Sequence, residues 1–373
     1  MEKNNIYLDY SATTKPEKQI LDKFNYIALN YWANPNSNHS LGLEVKKIVD
    51  KSIKNICDYF GPFNNELIFT SGASEANNLA IKGLVDNSTR KHIITTQLEH
   101  SSVLGPIGYL QKQGFRVDFV PLNEDGLVDL EELKKLLSDD TLLVSIGAVD
   151  SEIGIRQRVE EIGLLLLDYP DIYFHSDITQ ILGKDDIDIT NIDLVSFSGH
   201  KIYGFKGIGG LIKKQNIKLT PIIHGGKSTT VFRSGTPAPE LICSLSECFN
   251  LFKNTLEEKK EYVANLNKML CSELGKFDNV FINSNEYSLP HILNISIVGK
   301  KADDIREYFA KNNIFISTKT ACASNSDLSR AILTLTKDEN RASSSVRISL
   351  SYKTKENELK RFIEVLKEYV GVK

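Results

Sequence analysis

The segment SFSGHKIYGFKGIGG (196–210) places Lys201 directly after an apolar run that is typical of a buried strand. The preceding apolar run ends at Asp177, in HSDITQ. A lysine amine can bind an aldehyde covalently, and a carboxylate can keep a pyridine nitrogen protonated. The pair therefore predicts a site for pyridoxal phosphate. A simple ion pair between Lys201 and Asp177 is the alternative interpretation.

A pyridoxal phosphate site also needs donors for the phosphate and a partner for the ring. The segment TSGASEANNLAIKG (70–83) has small residues between a predicted strand and a predicted helix, where free N–H groups favour an anion. Ser198 and His200 can add further donors. His100, in LEHSS, can stack on the ring, although a histidine in such a position is more often structural.

Short apolar runs alternate with helical patterns over the first two thirds of the chain. This alternation predicts an α/β domain whose mostly parallel sheet is covered by helices. In that architecture ligands bind beyond the carboxyl ends of the strands, which is where the polar segments above occur. The predicted strands are ELIFT (66–70), HIITT (92–96), LLVSIGAV (142–149), IYFHSD (172–177), DLVSFS (193–198) and GGLIKK (209–214).

The rest of the chain reads as a smaller α+β domain. A helical stretch over about residues 239–275 is expected to lead into it. We therefore expect three parts: an N-terminal segment that associates with the small domain, a large cofactor-binding domain, and a small C-terminal domain. Their predicted ranges are 1–15, 16–255 and 256–373.

Composition excludes several classes of function. The net charge of −3 argues against a nucleic-acid-binding protein, which needs concentrated positive charge. The chain shows no apolar run of membrane-spanning length and no signal-peptide pattern at its start, which predicts a cytoplasmic protein with no membrane contact. The five cysteines have no metal-ligand spacing, so we expect no metal site and at least one free thiol.

Taken together, the ordered motifs resemble those of cysteine desulfurases of the NifS and IscS type, which belong to the class V aminotransferases. The resemblance extends from about Tyr7 to Ser351. It implies pyridoxal phosphate fold type I, with a seven-stranded, mostly parallel sheet between helices and a smaller α+β domain. The motifs are YLDYSATT, NPNSNH, FTSGASEANNLAIKG, EIG, HSDITQ, SFSGHKIYGFKGIGG, RSGT and TACAS.

The resemblance also implies a role for each matching position. Lys201 binds the cofactor aldehyde, Asp177 binds the pyridine nitrogen, and Gln180 donates to the phenolic oxygen of the ring. His100 stacks on the ring and relays protons, and Arg347 and Asn34 bind the substrate. The phosphate ligands implied are Ala73, Ser74, Ser198, His200 and, from the other subunit of a homodimer, Thr236.

Cys322, in TACASNS, is the residue on which the reaction depends. A lone cysteine is usually a small buried apolar residue, but here its neighbours are polar. In the family that this chain resembles, the matching cysteine takes the sulfur of substrate L-cysteine as a persulfide, and L-alanine is released. The sulfur then passes to an acceptor, either an iron–sulfur cluster scaffold or a thiolation enzyme.

Several positions depart from the family pattern, and they leave other functions open. Asp150 and Ser151 replace two asparagines, of which the second contacts the cofactor, and Phe205 replaces a proline. Tyr10 and Ser11 stand where the family generally has asparagine or histidine and alanine. One alternative is a different enzyme of the same fold: a selenocysteine lyase, another β-lyase or an aminotransferase. The other is a member without catalytic activity that acts as a partner protein.

Overall fold

The computed structural model describes residues 5–61, 65–253, 255–318 and 328–371. Cys322 lies outside these residues. Within them, the strands are β1 (Ile6–Tyr7), β2 (Asn65–Thr70), β3 (His92–Thr95), β4 (Arg116–Phe119), β5 (Thr141–Ser145), β6 (Tyr173–Asp177), β7 (Leu194–Ser198), β8 (Gly209–Lys214), β9 (Val280–Ile282), β10 (Ile292–Ile297), β11 (Ile314–Phe315) and β12 (Ser345–Ser349).

Helices cover both faces of the sheets. In the same described residues, they are α1 (Lys18–Asn30), α2 (Ser40–Tyr59), α3 (Ala73–Gly83), α4 (Ser101–Lys112), α5 (Leu130–Leu136), α6 (Val159–Leu166), α7 (Pro239–Phe252), α8 (Leu256–Leu274), α9 (Ala302–Lys311), α10 (Arg330–Thr336), α11 (Glu339–Ser343) and α12 (Glu356–Val370). No helix among the described residues is both long and apolar enough to span a membrane.

The large sheet has seven strands in the order β2-β8-β7-β6-β5-β3-β4. Its strands run parallel from β7 to β4, and β8 lies antiparallel to both of its neighbours, β2 and β7. This confirms the predicted α/β class and mostly parallel sheet. The sequence analysis missed β4, because its exposed edge position gives the short run RVDF no continuous apolar pattern.

Two apolar layers hold the large sheet. Every residue of β5 and β7 is buried, as expected for central strands that helices cover on both faces. On one face pack α2, α6 and α7, and on the other face pack α3 and α4. The strand ends are therefore held rigidly, and the segments that follow β2, β3, β5, β6 and β7 emerge at one edge.

A second core lies under the antiparallel sheet β12-β10-β9. The N-terminal strand β1 pairs with β11, and Ile6 and Leu8 pack into this core. Asp9 forms a bridge with Ser349, so the start of the chain runs beside β12. The predicted domain boundaries stay a prediction.

The helical stretch predicted over residues 239–275 is wrong as a single helix. It is two helices, of which α7 ends at Phe252 and α8 begins at Leu256. Thr255 has φ −134° and ψ 5°, which is not helical, and its hydroxyl donates to the Leu251 carbonyl at 2.6 Å. A β-branched hydroxyl residue that bonds to the backbone competes with the helical hydrogen bonds, so the helix breaks there.

Close backbone contact at Gly209 generates the first testable prediction. A Cβ there would lie 2.4 Å from the Phe197 carbonyl oxygen and 2.8 Å from Gly72 Cα. Both neighbours are backbone, so Gly209→Ala must push β8 away from β7 and from the start of α3. We expect it to lower the free energy of unfolding by about 2 kcal/mol.

Urea denaturation of the purified protein measures this effect. The control is Gly108→Ala in α4, where nothing lies within 4 Å of an added Cβ. We expect that change to be neutral or to stabilise the helix by about 0.5–1 kcal/mol. Equal denaturation midpoints for the two variants would contradict the close packing of β8 on β7.

Candidate active site

A cavity of about 390 Å³ opens at the carboxyl edge of the large sheet. Its volume lies within the range of about 300–1,000 Å³ that is typical of small-molecule sites. The polar segments after five different strands converge on it. The predicted site residues that line it are Ala73, Ser74, His100, Ser151, Asp177, Gln180, Ser198, His200 and Lys201.

One end of the cavity is the start of helix α3. Gly72 precedes the helix with φ +150°, a conformation that side chains rarely adopt, and it has no side chain to accept from the first N–H groups. The Ser198 hydroxyl lies 3.3 Å from where a Gly72 Cβ would be. These free N–H groups and the nearby hydroxyl suit a phosphate, because a helix N-terminus favours negative charge.

Asp177, which also lines the cavity, is held by Asn77. The Asn77 amide nitrogen donates to Asp177 Oδ2 and to the Ser102 hydroxyl, both at 2.8 Å. Ser102 in turn lies 2.7 Å from His100 Nδ1 and donates its backbone N–H to the same ring nitrogen at 3.1 Å. Asn77 thus links the carboxylate to the histidine. Asn77 belongs to the motif FTSGASEANNLAIKG, but its link to Asp177 is visible only in the structure.

Lys201 and Gln180 meet at one oxygen atom. The Lys201 ammonium donates to the Ser11 carbonyl and, at 2.8 Å, to the Ala12 carbonyl. Gln180 Nε2 donates to the same Ser11 carbonyl at 3.1 Å. The Lys201 amine and the Gln180 amide are therefore close enough to share one acceptor. This proximity is required if Lys201 binds the aldehyde carbon of a cofactor and Gln180 donates to the ring oxygen beside that carbon.

Burial keeps both histidines of the cavity neutral near pH 7. It lowers the pKa of His100, and the Lys201 charge adds to the effect against the opposing influence of Asp177. It lowers the pKa of His200 to about 4, assisted by the nearby charges of Lys201, Lys206 and Lys184. His100 Nδ1 accepts a backbone N–H, so its proton lies on Nε2.

Glu99 is a buried acid in the cavity wall that the sequence analysis missed. Its carboxylate accepts from the Gly147 N–H at 2.9 Å and from the Thr96 hydroxyl at 2.8 Å. Burial, with the added repulsion of Asp177 and Asp150, raises the pKa of Glu99 to about 8. Glu99 belongs to the motif LEHSS, in which only His100 had an expected role.

Arg347 lies beside the cavity and does not line it. From β12 its guanidinium donates to the Ser151 carbonyl at 2.7 Å and pairs with Asp9 at 2.7 Å. Its buried Nε has no partner among the described residues. Asp150, one of the residues that depart from the family pattern, stabilises the turn that follows it. Its Oδ1 accepts from the backbone N–H groups of Glu152 at 3.0 Å and Ile153 at 2.5 Å.

Two predicted residues lie apart from the cavity in the single chain. Thr236 lines a neighbouring cavity of about 160 Å³, which shares Ser71 and Gly207 with the larger one. Arg233 holds this segment against α3 through an ion pair with Glu75, at 2.9 Å. Asn34 is exposed between α1 and α2, and its side chain accepts from the Asn36 N–H at 2.9 Å.

The donor set fits pyridoxal phosphate. The cavity offers an amine, a carboxylate, an amide, an imidazole and an anion site, which are the groups that such a cofactor requires. The Thr179 hydroxyl, also in the wall, is buried without a partner among the described residues, so a ligand can satisfy it.

Comparison with known proteins places these features in a family. The aminotransferase class-V family model matches residues 6–362. A mitochondrial cysteine desulfurase of Candida maltosa is 38% identical over 98% of this chain and 77% of its own length. A solved NifS-like protein has a TM-score of 0.92 at 29% identity, over 98% of this chain and 99% of that one. A structure titled SspA in complex with cysteine has a TM-score of 0.81 at 31% identity, over 93% and 99%.

The buried acid generates a prediction about pH. Folded Glu99 holds its proton up to about pH 8, whereas an unfolded glutamate releases it near 4.5. Between these values the folded state binds more protons, so the free energy of unfolding falls as the pH rises. Glu99→Gln cannot ionise, so it removes this pH-dependent fall in the free energy of unfolding. We expect its stability advantage over the original protein to grow by on the order of 2 kcal/mol between pH 5 and pH 8.

Urea denaturation of the cofactor-free proteins at the two pH values tests this prediction. The control is Glu131→Gln on α5, whose side chain is exposed and pairs with Lys134 at the surface. We expect its stability relative to the original protein to change little with pH. A Glu99→Gln advantage that stays constant from pH 5 to pH 8 would show that Glu99 is ionised in the folded state.

Proposed function

Because this chain belongs to the aminotransferase class-V family and, within it, to the cysteine desulfurases, we propose that it uses bound pyridoxal 5′-phosphate to convert L-cysteine to L-alanine. The observation that carries the proposal is the shared acceptor of Lys201 and Gln180, beside Asp177 and the α3 N-terminus in one cavity. When bound there, the cofactor supplies an electron sink for bond cleavage in the substrate.

Each part of the cavity then has a proposed task in holding the cofactor. Lys201 binds the aldehyde carbon, and Asp177, oriented by Asn77, keeps the pyridine nitrogen protonated. The N–H groups of Ala73 and Ser74 bind the phosphate together with the side chains of Ser198 and His200. His100 stacks on the ring, and Gln180 donates to its phenolic oxygen.

Proton transfer falls to His100 and Lys201. His100 is neutral near pH 7, so it can accept a proton from the substrate and return it. Its orientation is fixed by Ser102, which Asn77 holds in turn. A fixed imidazole beside the ring is the arrangement that a general acid–base group requires.

The substrate is oriented by Arg347. Its buried Nε has no partner among the described residues, and a carboxylate is the acceptor that suits a guanidinium best. We assign this acceptor to the carboxylate of L-cysteine, with Asn34 as a second contact. Asp9 and the Ser151 carbonyl hold the other two nitrogens of the guanidinium in place.

Sulfur leaves through Cys322, whose position lies outside the described residues. The Cys322 thiolate attacks the substrate sulfur, an S–S bond forms, and the C–S bond breaks. The electron pair of that bond remains on the substrate carbon, which takes up a proton and leaves as alanine. The persulfide passes its outer sulfur to an acceptor protein in the cytoplasm, either an iron–sulfur scaffold or a thiolation enzyme.

Alanine and sulfide release from L-cysteine, with a thiol reductant present, tests the reaction. We expect equal amounts of the two products from the original protein and a loss of at least about a hundredfold in Cys322→Ala, because the nucleophile is gone. Cys57→Ala is the control. Burial raises the pKa of Cys57 to about 11, so this thiol is unreactive near neutral pH.

Two outcomes contradict the proposal. A protein that binds the cofactor but releases no alanine or sulfide favours another reaction of the same fold, such as selenocysteine cleavage. Unchanged release in Cys322→Ala shows that the sulfur leaves by another route.

We also propose that the active enzyme is a homodimer in which the partner subunit's Thr236 completes the phosphate site. The support is an apolar surface formed by α1, the start of α2 and their connection. Leu29 and Trp32 are 79% and 75% exposed, and Tyr26, Leu41 and Leu43 are also exposed. Large apolar side chains concentrated in one short region mark an interaction surface.

Leu29→Asp combined with Trp32→Asp tests the dimer. We expect the double variant to sediment as a monomer in analytical ultracentrifugation and to bind the phosphorylated cofactor more weakly, because charges oppose burial at an interface and Thr236 is then absent. Leu164→Asp on α6, which is also an exposed leucine, is the control and stays dimeric. A double variant that remains dimeric would contradict the proposed interface.

A further inference from the structure

Lys184 is a buried lysine close to the cavity that none of the assignments above uses. It is 5% exposed, and its ammonium donates to Gln180 Oε1 at 3.0 Å. Among the residues that the structure describes, it makes no ion pair. Lysines are rarely buried without a carboxylate, because removing an unpaired ammonium from water is costly.

Local packing keeps Lys184 in this position. Gln180 and Lys184 lie four residues apart on a single turn after β6, which is closed by hydrogen bonds from Leu182 and Asp185 to the carbonyls of Ile178 and Ile181. Gly183, with φ +69°, lets the turn pack on Phe252, since a Cβ there would lie 2.7 Å from the ring. The ammonium is therefore directed at the glutamine amide.

The ammonium fixes the orientation of that amide. An ammonium only donates hydrogen bonds, so the Gln180 oxygen must face Lys184 and the amide nitrogen must face away from it. Gln180 Nε2 accordingly donates to the Ser11 carbonyl, the acceptor that it shares with Lys201. With a neutral, apolar residue at 184, either face of the amide could turn towards Lys201.

We infer that Lys184 is a positioning residue that directs the Gln180 amide donor at the cofactor oxygen beside Lys201. The inference rests on the proposed binding of pyridoxal phosphate. An anionic oxygen at that place is stabilised by this donor. A proton on the cofactor-bound Lys201 nitrogen is then held less tightly, because the neighbouring oxygen already accepts from Gln180 and attracts the proton less.

The charges around Lys184 support this direction. Burial, together with the nearby cations Lys201 and Arg347, lowers its pKa to about 7. The ionisable groups that interact with Lys184 are Lys201, Arg347, His200 and His291, and both histidines have pKa values of about 4 or less. In this poorly compensated positive region, a cofactor anion beyond Gln180 is favoured.

The experiment is a pH titration of the visible absorption of the bound cofactor between pH 6 and 10. We expect Lys184→Met to raise the apparent pKa of the spectral change by about one unit, because the residue that fixes the Gln180 donor is lost. Lys184→Leu, which also has no hydrogen-bond donor, carries the same prediction, so a folding failure of one variant leaves the other. Lys184→Arg keeps a donor to the Gln180 oxygen and should restore the original pKa to within about 0.3 unit.

Lys260→Met is the matched control, because Lys260 pairs with Asp185 on the same turn and, in the part of the chain that the structure describes, makes no hydrogen bond to Gln180. It should leave the spectral pKa unchanged. An unchanged pKa in cofactor-loaded Lys184→Met and Lys184→Leu overturns the inference while the proposed function stands. An original protein that takes up no cofactor, and so shows no band, overturns both.

Discussion

The hydrogen bond between Asn77 and Asp177 is the contact on which the geometry of the site depends. It joins the first turns of α3, where an anion is favoured, to the end of β6, where a carboxylate is required. The two ends of the proposed cofactor are thereby held at a fixed separation. The same amide nitrogen fixes His100 through Ser102, so one residue sets the phosphate, nitrogen and stacking positions relative to one another.

Burial controls the charge of the cavity more than any single ion pair does. It raises the pKa of Glu99 to about 8, lowers that of Lys184 to about 7 and keeps His100 and His200 neutral. Glu99, His100 and His200 therefore line the cavity in neutral form near pH 7. A bound ligand then interacts mainly with the charges of Asp177 and Lys201, and small changes near Gln180 can shift its protonation.

Much of this arrangement could be predicted from the sequence, because apolar runs that end in polar segments mark the carboxyl edge of a parallel sheet. Lys201, Asp177 and His100 were found in this way, and the structure places them around one cavity. Asn77 and Lys184 were missed since each acts on another side chain, and no local pattern shows which residue a side chain will contact. The edge strand β4 and the break between α7 and α8 were missed because their signals are weak or lie in the backbone.

The contacts of Asp150 and Ser151 show what changes when these residues replace the two asparagines of the family pattern. The Asp150 side chain accepts two backbone N–H groups, and an asparagine oxygen could accept them equally well. At Ser151 the contact with Arg347 is made by the backbone carbonyl, which every residue type has. Neither substitution therefore alters the support of Arg347. Any effect of Ser151 on the reaction must come through its shorter side chain, which reaches less far into the cavity than an asparagine.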